Sequence, residues 1–189
     1  MNVAILISGT GSIMLAIIKH FHLKYQNKIS FTVISNNPDA IGLKKANDIG
    51  VKTISINHKN YKTREQFDTE LNLKLQDLKI DFVVLAGFMR ILTKKFVESW
   101  SGKMTNTHPS LLPAFKGSKA VRDALDYGVK ITGTTVHWVS SDVDCGKIIA
   151  QDVVIINQDD KELSLQEKIK QKEQVLYPKV LEEIFIKFL

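Results

Sequence analysis

Apolar residues in this chain fall into short continuous runs that alternate with longer stretches of helical spacing. Val3 to Ser8 (VAILIS) is nearly all apolar and runs straight into Gly9-Thr10-Gly11-Ser12, which reads as a strand buried on both faces and closed by a tight turn. Ile13 to His22 continues as a helix. Ile29 to Ser35 is a second strand, ended by the turn signal Asn36-Asn37-Pro38. Gly42 to Ile49 reads as a helix with Gly50 past its end, and Lys52 to Ile56 as a short third strand. Thr63 to Leu78 is a long amphipathic helix, with Thr63 and Gln66 at capping-box spacing. Then come a strand at Asp81 to Gly87, a short helix at Lys94 to Trp100 and a strand at Met104 to His108. Lys119 to Tyr127 is a helix stopped by Gly128, and Ile131 to Val139 and Ile148 to Ile156 are the last strands. Gln166 to Leu189 is expected to be helical, with an interruption at Pro178.

This alternation predicts an α/β protein with a doubly wound, mostly parallel seven-stranded sheet and helices on both faces, Rossmann-like in its N-terminal half. Its 189 residues suit one domain, 1–189, with a real core. In such sheets ligands bind outside the carboxyl ends of the strands.

Composition narrows the function classes. Cys145 is the single cysteine, so an internal disulfide is excluded and a reducing compartment fits. Met1-Asn2 carries no basic n-region and no apolar stretch approaches a membrane span, so a cytoplasmic location is expected. The net charge of +6 is carried by scattered lysines without a basic run, which fits a solvated surface or anionic small substrates better than nucleic acid or membrane.

Four segments carry chemistry. Asn106 and His108, two apart on a strand, point to the same side, and His108-Pro109-Ser110-Leu111-Leu112-Pro113 turns away at the strand end. A neutral donor and a titratable imidazole then face one centre, although a lone histidine in such a turn fits a structural hydrogen bond equally well. Ser8-Gly9-Thr10-Gly11-Ser12 is either a plain strand-to-helix turn or a phosphate cradle built from free helix N–H groups. It is neither a full GxGxxG nor a P-loop. Leu85-Ala86-Gly87-Phe88-Met89-Arg90-Ile91-Leu92 reads as core by itself, apart from an arginine that needs a partner or solvent. Asp142-Val143-Asp144-Cys145-Gly146 reads as a turn that also holds a carboxylate able to favour a charged imidazole. His137 lies in an alternating strand, where a structural role is expected, and Cys145 has no activator adjacent in sequence. His20 and His22 fall on different helix faces, and no HExxH or CxxC is present, so no metal site is expected.

Together these segments resemble the folate-dependent phosphoribosylglycinamide formyltransferases of purine biosynthesis. The resemblance runs along essentially the whole chain: ISGTGS, VVLAGFMRIL, NTHPSLLPAFKG, HWVSSDVDCG and the late E-x-x-x-Y-P from Glu173 to Pro178. It implies the formyltransferase fold and formyl transfer from 10-formyltetrahydrofolate to the amine of glycinamide ribonucleotide. It assigns catalysis to Asn106, His108 and Asp144, with Asp144 keeping His108 charged. It places the phosphoribosyl substrate at Gly11, Ser12, Ile13 and Glu173. Folate would meet Arg64, Leu85, Phe88, Met89, Arg90, Ile91, Leu92 and Asn106. It implies small-molecule substrates, no nucleic acid, and a monomer or homodimer.

The chain departs from that pattern at Ile13 (family Asn), Gln174 (family His) and Lys147 (often Pro), and at Ser118-Lys119, near which many relatives carry histidine. These positions bear on substrate affinity more than on reaction type. The expected alternatives are a formyltetrahydrofolate deformylase-like hydrolase and a non-catalytic folate or nucleotide binder. Methionyl-tRNA formyltransferases differ in adding a C-terminal RNA-binding domain, and deformylases in adding an N-terminal regulatory one.

Overall fold

The sheet is built on β1 (Asn2–Ile7), whose side chains alternate between two separate cores in a computed structural model that describes residues 1–25 and 28–189. Val3, Ile5 and Ile7 pack against α1 (Ser12–Tyr25) and α6 (Glu162–Phe185). Ala4 and Leu6 pack on the opposite face against α3 (Arg64–Asp77) and α4 (Lys94–Ser99). All five of these β1 residues are fully buried, which is why the run is continuously apolar instead of alternating. Burial of each valine, leucine or isoleucine among them contributes roughly 1.5–3 kcal/mol.

The other strands are β2 (Ser30–Ser35), β3 (Lys52–Ser55), β4 (Phe82–Leu85), β5 (Met104–His108), β6 (Ile131–Trp138) and β7 (Ile148–Ile155). They form one seven-stranded sheet in the order β3-β2-β1-β4-β5-β6-β7. The first five are parallel, and β6 and β7 join antiparallel. The remaining helices are α2 (Ile41–Asp48) and α5 (Ala120–Tyr127). The chain winds one way from β1 through β2 to β3, then crosses by α3 to β4 on the other side of β1. The crevice between the carboxyl ends of β1 and β4 is therefore the topological switch point of the sheet.

One expectation is overturned. The C-terminal helix starts at Glu162 and runs unbroken through Pro178 to Phe185. Pro178 removes one helical N–H, but it is buried together with Tyr177, Val180, Leu181, Ile184 and Phe185. That packing outweighs the lost bond and carries the helix through. The earlier start is stabilised by Ser164, whose hydroxyl accepts from the Lys161 N–H, and by the Lys168–Asp160 ion pair. At α3 the Thr63 hydroxyl accepts from the Gln66 N–H as expected, but the Gln66 carboxamide accepts from Lys62 N–H instead of closing the box on Thr63.

Candidate functional site

Two groups of residues carry chemistry at this end of the sheet. The first lies at the switch point, where Ser8 to Ile13, Ala86, Gly87 and Met89 enclose a cavity of about 220 Å³. Gly11 has φ +68°, and a Cβ there would come within 2.9 Å of the Gly42 Cα, so the turn needs glycine both for its conformation and for the approach of α2. Leu15 N–H donates to the Gly11 carbonyl, which opens α1 at this turn and leaves the first helical N–H groups facing the cavity. The Ile13 side chain is 9% exposed and lies in the core, so only its backbone is available to a ligand. Lys45 reaches over from α2 with Nζ 3.2 Å from the Thr10 carbonyl, a positive charge at the rim that the sequence reading passed over.

Ser8 ties this turn to the segment after β4. Its N–H donates to the Gly87 carbonyl (3.0 Å). Its hydroxyl accepts from Met89 N–H (2.8 Å) and donates to Asn36 Oδ1 (2.6 Å). Beyond it, Met89 and Ile91 are 77% and 58% exposed, whereas Leu85 and Leu92 belong to the core. Arg90 lays its guanidinium 4.8 Å above the Phe67 ring, with its Nε buried and unpartnered. Arg64 is exposed at the start of α3.

The second group gathers Asn106, His108, His137 and Asp144. Alternation along β5 turns Thr105 and Thr107 toward α6, where they meet Tyr177 OH (2.8 Å) and Glu173 Oε1 (3.0 Å), and turns Asn106 and His108 to the opposite side. Antiparallel pairing sets His137 directly across from Asn106. The loop after β6 brings back Asp144 at φ +52°, a conformation that aspartate tolerates better than most residues. Its Oδ2 lies 3.3 Å from His108 Nδ1 and accepts from Gly117 N–H at 2.9 Å, and its Oδ1 lies 3.8 Å from His137 Nε2. The His108 and Asp144 side chains are only 6% and 9% exposed, so solvent screens their interaction weakly.

His108 Nε2 lies 2.8 Å from the Phe115 carbonyl. Both ring nitrogens thus face oxygen atoms of fixed position, which orients the ring. The turn after His108 is pinned by Thr135, whose hydroxyl donates to the Ser110 carbonyl and accepts from Leu112 N–H and Gln151 Nε2.

Glu173 is buried, and that burial pushes its carboxyl up to about 7 in spite of hydrogen bonds to Thr107 and Thr134. Cys145 is exposed, yet Lys116 Nζ sits 3.0 Å from its sulfur, a neighbour supplied by the facing loop and invisible in the local sequence. Among the described residues no group of three or more histidines, cysteines and carboxylates is arranged to hold a metal ion. None of the described helices is long and apolar enough to cross a membrane.

A cavity at the switch point of the sheet, with a histidine paired to a carboxylate and a carboxamide on the strand next to β4, fits an α/β enzyme of the group-transfer class. More specifically, residues 1–181 match the model of the formyl transferase family, and the chain belongs to that family. It is 39% identical to the phosphoribosylglycinamide formyltransferase of Escherichia coli, over 96% of this chain and 85% of that protein. It is 48% identical to the human trifunctional purine biosynthetic protein adenosine-3 over 96% of its own length, but spans only 18% of that much longer protein. The crystal structure of phosphoribosylglycinamide formyltransferase from Bacillus halodurans superposes with a TM-score of 0.93, at 34% identity, covering 100% of this chain and 97% of that one.

Proposed function

We propose that this chain transfers the formyl group of 10-formyltetrahydrofolate to the primary amine of phosphoribosylglycinamide. The observation that carries this reading is the convergence of Asn106, His108 and Asp144 at β5, the strand next to the switch point, in a member of the formyl transferase family.

The chemistry follows from the groups. The amine nitrogen forms a bond to the formyl carbon, the bond from that carbon to N10 breaks, and one proton passes from the amine to N10. Negative charge develops on the formyl oxygen in between. Asn106 Nδ2 and the His108 ring are the donors available to it. Asp144 holds the ring in place at its Nδ1, and the Phe115 carbonyl lies at Nε2, where the substrate oxygen would take over. No covalent intermediate is needed. The N–H groups at the start of α1, with Lys45 alongside, would hold the phosphate, and Glu173 would accept from the ribose hydroxyls. The exposed Met89 to Ile91 edge would receive the flat pterin, and Arg64 the benzoylglutamate end.

The reading is tested by mixing the purified chain with phosphoribosylglycinamide and 10-formyltetrahydrofolate and following folate absorbance. Amine-dependent turnover is expected. Turnover without the amine would make the chain a hydrolase, and stabilisation by both ligands without turnover would make it a binder. His108→Ala and Asp144→Asn are each expected to lower kcat by roughly a hundredfold or more. Activity within a few fold of wild type in either variant would overturn the assigned roles.

A further inference from the structure

His137 stands apart from the three groups given roles above, yet it is buried at 2% exposure and lies in their midst. A register shift between Val136 and His137 in the β6–β7 pairing sets its ring, and bulges of this kind re-aim side chains. Its Nδ1 lies 2.9 Å from the Trp138 carbonyl. That oxygen can only accept, so Nδ1 carries the hydrogen. Burial, reinforced by the nearby His108 charge, pushes the imidazole below its ordinary range, against the Trp138 carbonyl and Asp144, which pull it up. A neutral ring with hydrogen on Nδ1 has a bare lone pair on Nε2. The nearest atom to that lone pair, at 3.3 Å, is Asn106 Nδ2, with Asp144 Oδ1 farther off at 3.8 Å.

A carboxamide can sit in either of two flipped orientations, and only one places N–H groups where a donor is needed. We propose that His137 is a positioning residue: its Nε2 accepts one N–H of Asn106, locks the carboxamide orientation, and leaves the second N–H free for the developing formyl oxygen. Gly146 supports the arrangement, because a Cβ there would lie 1.6 Å from the Trp138 carbonyl, the group that fixes the His137 tautomer. The inference rests on the formyl-transfer reading for the destination of that N–H, but not for the lock itself.

Two substitutions separate this role from a structural one. His137→Asn can still donate to the Trp138 carbonyl but has no acceptor at the Nε2 position. His137→Gln can present an oxygen there and gives up the Trp138 bond. His137→Asn is expected to lose about tenfold or more in kcat with KM for both substrates unchanged, and His137→Gln to stay within a few fold of wild type. In an Asn106→Ala background, His137→Asn should cost nothing further. A wild-type kcat in His137→Asn, or an undiminished loss in the Asn106→Ala background, would overturn the proposal. Should the variants fail to fold, long-range proton–nitrogen NMR of the wild-type ring decides it: hydrogen on Nδ1 with Nε2 bare is expected, and hydrogen on Nε2 refutes the lock. Failure of the formyl-transfer reading would appear separately, as absence of amine-dependent turnover in the wild type.

Discussion

Glu173 holds a proton in the folded protein at pH values where the unfolded chain has released it. Burial moves its carboxyl from the ordinary 4.5 up to about 7. Stability from this group is therefore fully present below about pH 4.5 and is lost as pH rises through about 7, by up to roughly 3 kcal/mol. Glu173→Gln keeps the hydrogen-bonding shape without the titration. Denaturant unfolding of both proteins across this range should show wild type losing stability relative to Glu173→Gln as pH rises. His137 tilts stability the other way, because burial keeps its ring neutral while the unfolded chain protonates on acidification. That contribution is common to both proteins and cancels in their difference. A difference that stays flat with pH would show that Glu173 is not held neutral by its surroundings.

Whole strands and helices were largely legible in the sequence, because their signals are local. Apolar runs with flanking Gly, Asn and Pro located all seven strands, and Thr63 marked the start of α3. The Pro178 break was misjudged because a proline's local penalty is visible in sequence while the burial that offsets it is not. That His137 lies against Asn106 is not legible in the sequence, because it follows from antiparallel register, which no local pattern encodes. The meeting of Asp144 with His108 depends in the same way on how one loop folds back. Register also makes a prediction at Gly133 in β6. A Cβ there would lie 2.1 Å from the Asp152 carbonyl of β7 and 2.7 Å from Leu111 in the turn after His108. Backbone cannot yield as a flexible side chain does, so Gly133→Ala is expected to cost about 1–3 kcal/mol or more in urea unfolding and to lower activity by disturbing that turn. Wild-type stability in this variant would mean that the β6–β7 pairing differs from the one described.

Across the whole molecule, the sheet places the turn proposed for phosphate and the edge proposed for pterin on either side of its switch point and then joins them. Ser8 is the joint, with its N–H on the Gly87 carbonyl and its hydroxyl between Met89 N–H and Asn36. The turn proposed for phosphate and the edge proposed for pterin consequently move as one body. The groups proposed to carry the chemistry lie on β5 and the Asp144 loop, outside this network. Ser8→Ala breaks both hydroxyl bonds and leaves Met89 N–H without its partner. A net contribution of about 1 kcal/mol per hydrogen bond corresponds to roughly fivefold in affinity. Steady-state kinetics of Ser8→Ala should therefore show KM raised severalfold for the phosphoribosyl amine and for the formyl donor together, with kcat within a few fold of wild type. A rise in only one KM would mean that the two segments respond separately and Ser8 is not their joint. A fall in kcat alone would mean instead that the switch point governs the chemistry more than the binding.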